Sequence, residues 1–503
     1  MLALLHVDAV NTPLLERLID DGRLPVLQDL RRRGVWYALE TPATHFPAAA
    51  YFSMHSGYEA GDHGLHFSFQ WSPSEQRLRY RLDFGAPTTV WERLAAAGKR
   101  TLLIDPYELA PPGRLEGRAL SGWQYANILS LERWAVPRGW QRSYERRLGR
   151  GPFMQEVFGK RSARSLFSMR RTLLAASARV AELTTEVLRR ERFDFVCVSL
   201  LAIHQAGHIF WDVSQLDVND GQRAQLEGTL PLLYEETDRA IGRILAALPD
   251  GADLMVVSPL GMGPNTSRID LLGEMLELVL VPRRTQSGDA RAEAGGRIWR
   301  LRAAVPRPVR SAVARALGAH LAREMTAKLS TSGIDWSDTR AFLLPSDENG
   351  QIRLNLNGRE RDGVVDPAEA DSLMEQIAEG LATFRDLDGG PSIKAVDRAA
   401  DLFPGRRSDL LPDLVVRWSD TPATGIKGVR SERYGEVRRR SSGGTGRNGA
   451  HTAEAFALVV PGSSRGRTPN RPPRVTDVAA TICAVLGADR DVPEGESLLE
   501  PGD

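Results

Sequence analysis

The sequence predicts an α/β fold in which a central, mostly parallel sheet lies between two layers of helices. Short apolar runs rich in β-branched residues alternate along the chain with longer stretches of helical periodicity. Residues 2–7, 193–201 and 253–258 are apolar almost throughout, which is typical of parallel strands buried on both faces. These two observations together predict a three-layer α/β/α sandwich.

The order of these signals gives the expected elements. A buried strand over residues 2–7 ends at Asp8, and an amphipathic helix over residues 14–33 is closed by Gly34. A helix over residues 89–97 precedes a strand over 101–104, and a helix is expected over 232–248 and a strand over 456–460. Open α/β sheets bind ligands at the carboxyl ends of their strands, where Asp8, His204 and the segment after Ser258 fall.

The composition excludes several classes of protein. The 503 residues are 42% hydrophobic and 26% charged, which is ordinary for a globular protein. Lys and Arg number 65 and Asp and Glu 64, so a net charge of +1 provides no general attraction to nucleic acid. The sequence therefore predicts that a nucleic acid polymer is not a partner. It says nothing about oligomeric state.

The sequence predicts a cytoplasmic protein without a membrane segment. The start MLALLHVDAV has no basic region before its short apolar run. No stretch approaches the roughly 18–20 apolar residues that span a bilayer. Cys197 and Cys483 lie in apolar runs, where a thiol usually behaves as a small buried hydrophobic group. They indicate neither a disulfide framework nor a cysteine metal cluster.

Two stretches interrupt the alternation of strands and helices. Residues 130–185 and 275–335 are rich in arginine and have helical patterns punctuated by Pro and Gly. We interpret them as insertions that form a helical cap over the functional edge of a single domain spanning residues 1–503. Residues 435–449, GEVRRRSSGGTGRNG, are predicted to form a polar loop that leads to His451.

A pair of histidines is the first candidate metal-binding feature. His204 and His208 are four residues apart directly after an apolar strand, so both rings lie on one face if the segment is helical. His451, before the strand at 456–460, is a third candidate, and Asp8 is the natural carboxylate partner. A pair of this spacing also occurs by chance or as a hydrogen-bonded pair in the core.

The chain resembles the alkaline phosphatase superfamily, in the branch of type I phosphodiesterases, nucleotide pyrophosphatases and related phosphohydrolases and phosphomutases. The resemblance begins with VDAVNTPLLERLIDDGRLPVLQDLRRRGV and SGYEAGDHGLHF. It continues in order through TTVWERLAAAGKRTLLIDPYELAPP, HIFWD, GQIRLNLNGRERDGVV, LPDLVVRW and VTDVAATICAVLG. The resemblance implies an alkaline-phosphatase-like sandwich over the whole chain except the two insertions.

The resemblance also implies a metal site. Members of the superfamily typically hold two ions, often zinc, beside a Thr or Ser nucleophile, and the ions clamp the attacking and leaving oxygens. Carried over position by position, Asp8 matches a ligand of the second metal, and His208 and His451 match the two histidines of the first. The substrate class implied is a phosphate ester, a phosphodiester or a related oxyanion ester.

The sequence departs from the family pattern at both metal sites. The aspartate of the first site is replaced by His204, which predicts a three-histidine site for one divalent metal, most consistent with zinc. The Ser-Asp-His-Gly motif of the second site is Ser258-Pro259-Leu260-Gly261. Because proline and leucine cannot bind a metal, we expect the second site to be weak or absent.

The nucleophile expected from the resemblance is less clearly placed. Thr44 matches it only if an insertion of two or three residues before Gly57 is allowed, and His45 is the competing occupant. A threonine hydroxyl without a second metal needs a general base, for which His45 and His6 are candidates. An ordinary loop threonine is the alternative for Thr44.

Three functions remain open from the sequence. The first is a metal-dependent hydrolase of a phosphate-type ester. The second is a non-catalytic relative that binds a ligand or a partner, which the loss of both ligands at Pro259 and Leu260 favours. The third is a mononuclear enzyme of different chemistry, such as a step of a specialised biosynthesis, because a fold alone does not define a function.

Overall fold

A computed structural model describes residues 1–109, 111–126, 133–152, 154–155, 159, 161–281, 324, 327, 334–439, 446–488 and 495–502. Within them the chain divides into two compact units. Unit 1 consists of residues 1–63, 87–265 and 443–503, and unit 2 of residues 64–86 and 266–442.

The strands are β1 Leu2–Val7, β2 Val35–Leu39, β3 Phe69–Ser72, β4 Arg77–Tyr80, β5 Thr101–Ile104, β6 Gly117–Ser121, β7 Tyr125–Ala126, β8 Trp134–Val136, β9 Met154–Gln155, β10 Phe195–Leu200, β11 Asp253–Ser258, β12 Gly261–Pro264, β13 Ala341–Leu344, β14 Gly350–Leu354, β15 Arg385–Asp386, β16 Ile393–Arg398, β17 Leu414–Trp418, β18 Gly428–Ser431, β19 Gly435–Arg438, β20 Gly449–Thr452, β21 Ala455–Val460, β22 Arg465–Gly466 and β23 Leu499–Glu500.

The described helices are α1 Thr12–Asp20, α2 Pro25–Arg33, α3 Pro47–Ser56, α4 Ala60–His63, α5 Val90–Ala96, α6 Arg142–Leu148, α7 Ala163–Arg190, α8 Ala202–Phe210, α9 Asp220–Leu226, α10 Thr229–Leu245, α11 Ile269–Leu280, α12 Ala370–Ala382, α13 Ala399–Leu402 and α14 Thr476–Leu486. Short 3-10 helices include Pro42–Thr44 and Val213–Gln215.

Unit 1 is built on an eight-stranded sheet in the order β2-β21-β11-β1-β10-β5-β6-β8. The pairs that β1 makes with β10 and β11, and those that β5 makes with β10 and β6, are parallel. The pairs β11-β21, β2-β21 and β6-β8 are antiparallel. The carboxyl ends of β11, β1, β10 and β5 therefore meet at one edge of the sheet, where Asp8 and the segment before His204 lie.

Alternate residues of β1 supply two different hydrophobic cores. Ala3, Leu5 and Val7 belong to the core shared with residues of α7, α8 and α10. Leu2 and Leu4 belong to the core shared with α5 and α14 on the opposite face. This confirms the predicted α/β/α sandwich with a mostly parallel sheet.

The predicted helix over residues 14–33 is wrong, because the structure has two helices there. α1 ends at Asp20 and α2 begins at Pro25. Gly22 between them has a φ of 70°, a left-handed conformation that favours glycine. Proline cannot donate a helical hydrogen bond and fits best in the first turn of a helix, so the chain ends one helix and starts another.

Unit 2 contains a four-stranded antiparallel sheet in the order β13-β14-β17-β16 and a three-stranded sheet β15-β18-β19. Its core combines these strands with the apolar faces of α11 and α12. β19 covers part of the segment 435–449, which the sequence predicted to be a loop. Residues 440–445 of that segment lie outside the described residues.

Most of the second predicted insertion, residues 275–335, lies outside the described residues. Within the first, α7 packs along the sandwich through Leu166, Leu173 and Val180. A helical cap over the functional edge stays a prediction. In the described part of the chain, no helix combines the length and the apolar character that crossing a membrane requires. Cys197 and Cys483 are free and buried, as predicted.

Candidate metal centre

Three histidines converge at the carboxyl edge of the unit 1 sheet. His204 and His208 lie on α8, which follows β10 directly, so the segment is helical and the spacing of four residues places both rings on one face. His451 lies in β20, paired with Met262 of β12. One ring nitrogen from each of the three lies within 4.8 Å of the others. The Nε2 atom of His204 is 3.0 Å from Nε2 of His208 and 3.1 Å from Nε2 of His451.

Hydrogen bonds on the far sides of two rings define their tautomers. Nδ1 of His204 is 2.5 Å from Oδ2 of Asp8, and Nδ1 of His208 is 3.0 Å from the carbonyl oxygen of Gly449. An ionised carboxylate and a carbonyl oxygen only accept hydrogen bonds, so each Nδ1 carries the proton. In a neutral ring the Nε2 atom then holds a lone pair, so two neutral rings cannot hydrogen-bond to each other through their Nε2 atoms.

The surroundings of His208 and His451 favour the neutral form of these two rings. Burial lowers the pKa of His208 well below its ordinary value, and positive charge on His451 and His204 lowers it further. Burial lowers the pKa of His451 in the same way, and His204 and Arg447 act in the same direction. Neutral imidazole is the form that binds metal ions, so protons compete weakly with a metal at His208 and His451.

Asp8 lies behind His204, at the end of β1. Its side chain is fully buried and contacts His6, Tyr51 and His204. Burial alone would raise its pKa, but the charges of His204 and His6 and their hydrogen bonds hold the pKa of Asp8 well below its usual range. Asp8 is therefore an ionised carboxylate that accepts hydrogen bonds from the surrounding side chains.

Thr44 and His45 lie close in sequence to an apolar cluster beside the site. Thr44 ends the 3-10 helix Pro42–Thr44, and His45 is its C-cap; both are partly buried. The preceding residue, Ala43, packs in a buried cluster with Tyr51 and Leu260. The roles predicted for Thr44 and His45 stay predictions.

The turn after β11 is apolar, as its sequence predicts. Leu260 is fully buried in the cluster with Tyr51, and Met262 also belongs to it. The Pro259 carbonyl accepts a hydrogen bond from the Thr41 hydroxyl at 2.8 Å. The side chains of Pro259 and Leu260 offer no metal ligand.

Sequence reasoning missed three residues of the site. Tyr51, on α3, donates to Asp8, and no sequence pattern indicates that contact. Tyr107 packs edge-on against His204, with ring centroids 5.3 Å apart. The negative charge of Glu108 partly opposes the lowering of the His451 pKa, which burial dominates. Tyr107 and Glu108 follow the end of β5, so the rule that placed Asp8 at a strand end also applies to them.

Backbone strain marks the same edge of the sheet. Ala9, Asp105 and Glu108 have positive φ values of 53°, 51° and 61°. This left-handed conformation costs a non-glycine residue about 1–2 kcal/mol. Such residues cluster at functional sites when the surrounding structure holds them in place.

Asp105 is expected to make the stability of the protein depend on pH. Burial raises the pKa of Asp105 to about 6, although its carboxylate accepts the backbone N–H groups of Trp123 and Gln124. The native state then binds a proton between about pH 4 and pH 6 that the unfolded state does not, so this contribution to stability grows as the pH falls.

The quantity to follow is the free energy of unfolding of the wild type minus that of Asp105→Asn. We expect this difference to be about 1 kcal/mol larger at pH 5 than at pH 7.5. Denaturant titrations of both proteins at the two pH values measure this difference. The pH dependence that comes from all other titratable groups cancels, because both proteins share those groups. A difference independent of pH contradicts the assignment of a raised pKa to Asp105.

The unit 1 sheet and its two helix layers form an alkaline-phosphatase-like fold. The chain belongs to the type I phosphodiesterase/nucleotide pyrophosphatase family, which matches residues 2–424. This confirms the resemblance found in the sequence. No curated protein sequence matches the chain significantly.

Solved structures support the same fold over nearly the whole chain. Phosphonoacetate hydrolase from Sinorhizobium meliloti 1021, in complex with phosphonoformate, is 15% identical with a TM-score of 0.51, covering 97% of this chain and 95% of that chain. Wild-type alkaline phosphatase PafA is 12% identical with a TM-score of 0.53, covering 99% of this chain and 98% of that chain. At these identities the likeness shows the fold alone.

Proposed function

We propose that the protein is a metal-dependent hydrolase of a small phosphate ester, phosphodiester or related oxyanion ester, with one divalent metal on His204, His208 and His451. The observation that carries the proposal is the close approach of the Nε2 atoms of His204 and His208, 3.0 Å apart in a buried site. When both Nδ1 atoms carry protons, two nitrogens at this distance need a cation between them, either a shared proton or a metal ion.

The donor set fits zinc. Two nitrogens bound at about 2.0–2.1 Å to one tetrahedral zinc ion lie about 3.3–3.4 Å apart. The separations of 3.0 and 3.1 Å among the three Nε2 atoms are close to that value. Three imidazoles also leave an open position, which is the arrangement of catalytic rather than structural zinc sites. Zinc is therefore the metal that we propose.

The residues around the trio have separate proposed roles. A bound zinc ion supplies Lewis-acid polarisation of a substrate oxygen and lowers the pKa of a bound water. Asp8 holds the proton on Nδ1 of His204, and Thr44 or His45 is the proposed nucleophile or base. Arg447, whose positive charge acts on His451, is the group that we propose to meet the anionic substrate.

A second candidate function is a non-catalytic relative that binds a ligand or a partner. The apolar turn of Pro259 and Leu260 favours it, because phosphoryl transfer depends on neutralising charge and this turn contributes none. A mononuclear enzyme of different chemistry, in a specialised biosynthesis, would keep the same three histidines. Metal content separates the hydrolase from the non-catalytic relative. The identity of the substrate separates the hydrolase from a mononuclear enzyme of different chemistry.

The first experiment is elemental metal analysis of the purified protein and of His204→Ala. We expect about one equivalent of zinc per wild-type chain and less than about a tenth of that in the variant, because two histidines alone bind zinc weakly. Cys197→Ala is the control, since that thiol is buried in the sheet and its pKa is raised to about 12. Absence of metal from the wild type after reconstitution with zinc would favour the non-catalytic function.

A further inference from the structure

The Asp8 carboxylate is surrounded by side-chain donors from three elements. Oδ1 accepts from Nε2 of His6 at 3.1 Å and from the Tyr51 hydroxyl at 2.9 Å. Oδ2 accepts from Nδ1 of His204 at 2.5 Å, and the Tyr51 hydroxyl lies 3.2 Å from it. The exposed fractions are 0% for Asp8 and His6, 3% for Tyr51 and 2% for His204. Water therefore does not compete for these contacts.

The two outer donors are themselves held in place. Nδ1 of His6 lies 3.2 Å from the Ser199 hydroxyl, and these two residues are paired across β1 and β10. The Tyr51 ring packs edge-on against Tyr107 with centroids 4.9 Å apart, and Tyr107 packs edge-on against His204. His204 is thus held at Nδ1 by the carboxylate and on its ring by an aromatic side chain.

We propose that Tyr51 and His6 are positioning residues of the metal site, because together they fix the Asp8 carboxylate that sets the tautomer and ring orientation of His204. This inference rests on the metal site of the proposed function. An imidazole binds a metal only along the axis of its lone pair, so a carboxylate free to rotate would misdirect His204. The loss of such an outer partner costs about 10–100-fold in metal affinity.

The same contacts also fit a purely structural role, in which they only satisfy buried polar groups. A structural role predicts lower stability of the metal-free protein and an unchanged intrinsic affinity for metal. A positioning role predicts weaker binding and altered ligand geometry in protein that remains folded. Affinity and ligand geometry therefore separate the two roles, whereas stability alone does not.

The test compares Tyr51→Phe with wild type in two measurements on folded protein. Competition with a chelator gives the zinc affinity, and we expect Tyr51→Phe to weaken it by about tenfold or more. The visible absorption of the cobalt(II)-substituted protein reports ligand geometry, and we expect the bands of the variant to shift.

Tyr234→Phe is the matched control. Tyr234 is also a buried tyrosine of unit 1, at 2% exposure, but its hydroxyl accepts the backbone N–H of Asn11 at 2.7 Å. The control is expected to lose stability while its zinc affinity and cobalt spectrum stay at the wild-type values.

A second variant covers the case in which Tyr51→Phe does not fold. His6→Ala removes the other outer donor, and we expect a loss of zinc affinity of about tenfold. The inference is overturned if a folded Tyr51→Phe protein binds zinc with wild-type affinity. If Tyr51→Phe does not fold, wild-type zinc affinity in His6→Ala overturns it instead. In both cases the proposed function is unaffected. A wild-type chain that binds neither zinc nor cobalt overturns both.

Discussion

The His208→Ala variant is expected to bind no zinc and to hydrolyse a generic phosphodiester, such as bis(p-nitrophenyl) phosphate, no faster than the buffer. Both ring nitrogens of His208 are engaged, Nδ1 with the Gly449 carbonyl and Nε2 with the Nε2 atom of His204. Its loss removes one of three ligands and the hydrogen bond that ties α8 to β20. We expect a fall in rate of at least a thousandfold, or about 4 kcal/mol.

The measurement pairs zinc content with steady-state hydrolysis on the same preparations. His63→Gln is the control, because His63 is a buried histidine of unit 1 whose Nε2 lies 3.2 Å from the Ser53 hydroxyl, outside the trio. We expect this control to keep its zinc and its activity. Intact hydrolysis in folded His208→Ala protein would exclude the three-histidine site as the source of activity.

The main elements of the site could be predicted from the sequence because their signals are local. Residues 2–7 and 253–258 form strands with the predicted bounds, since fully apolar runs of this length have few alternatives in an α/β chain. His204 and His208 lie on one face of α8, because residues four positions apart in a helix share a face. The break at Gly22 and Pro25 was also a local signal, and the prediction of one helix over 14–33 overlooked it.

The contacts of Asp8 could not be predicted in the same way. Tyr51 reaches Asp8 from α3, more than forty positions along the chain, and only the packing of that helix brings the two together. The resemblance makes Asp8 a metal ligand, which stays a prediction. In the structure the His204 ring lies between Asp8 and the other two histidines, and the carboxylate contacts Nδ1 of that ring.

The Gly449→Ala variant is expected to lose zinc affinity by at least about tenfold although it removes no ligand. A Cβ atom at position 449 would lie 2.1 Å from the backbone oxygen of Gly207, so β20 would have to move away from α8. That movement would break the hydrogen bond from Nδ1 of His208 to the Gly449 carbonyl, and would displace His451 two residues further along the strand. Both changes turn a proposed ligand away from the metal. The loss of a hydrogen bond that orients a ligand typically lowers metal affinity by about 10–100-fold.

Chelator competition on folded Gly449→Ala protein measures this effect, and Gly221→Ala is the control. Gly221 lies in the first turn of α9, where an added Cβ would come no closer than 3.6 Å, to the Asn219 side chain, and alanine favours a helix. We expect the control to match the wild type in zinc affinity. Equal affinity in Gly449→Ala would mean that the close approach of α8 and β20 is not what holds the three histidines together.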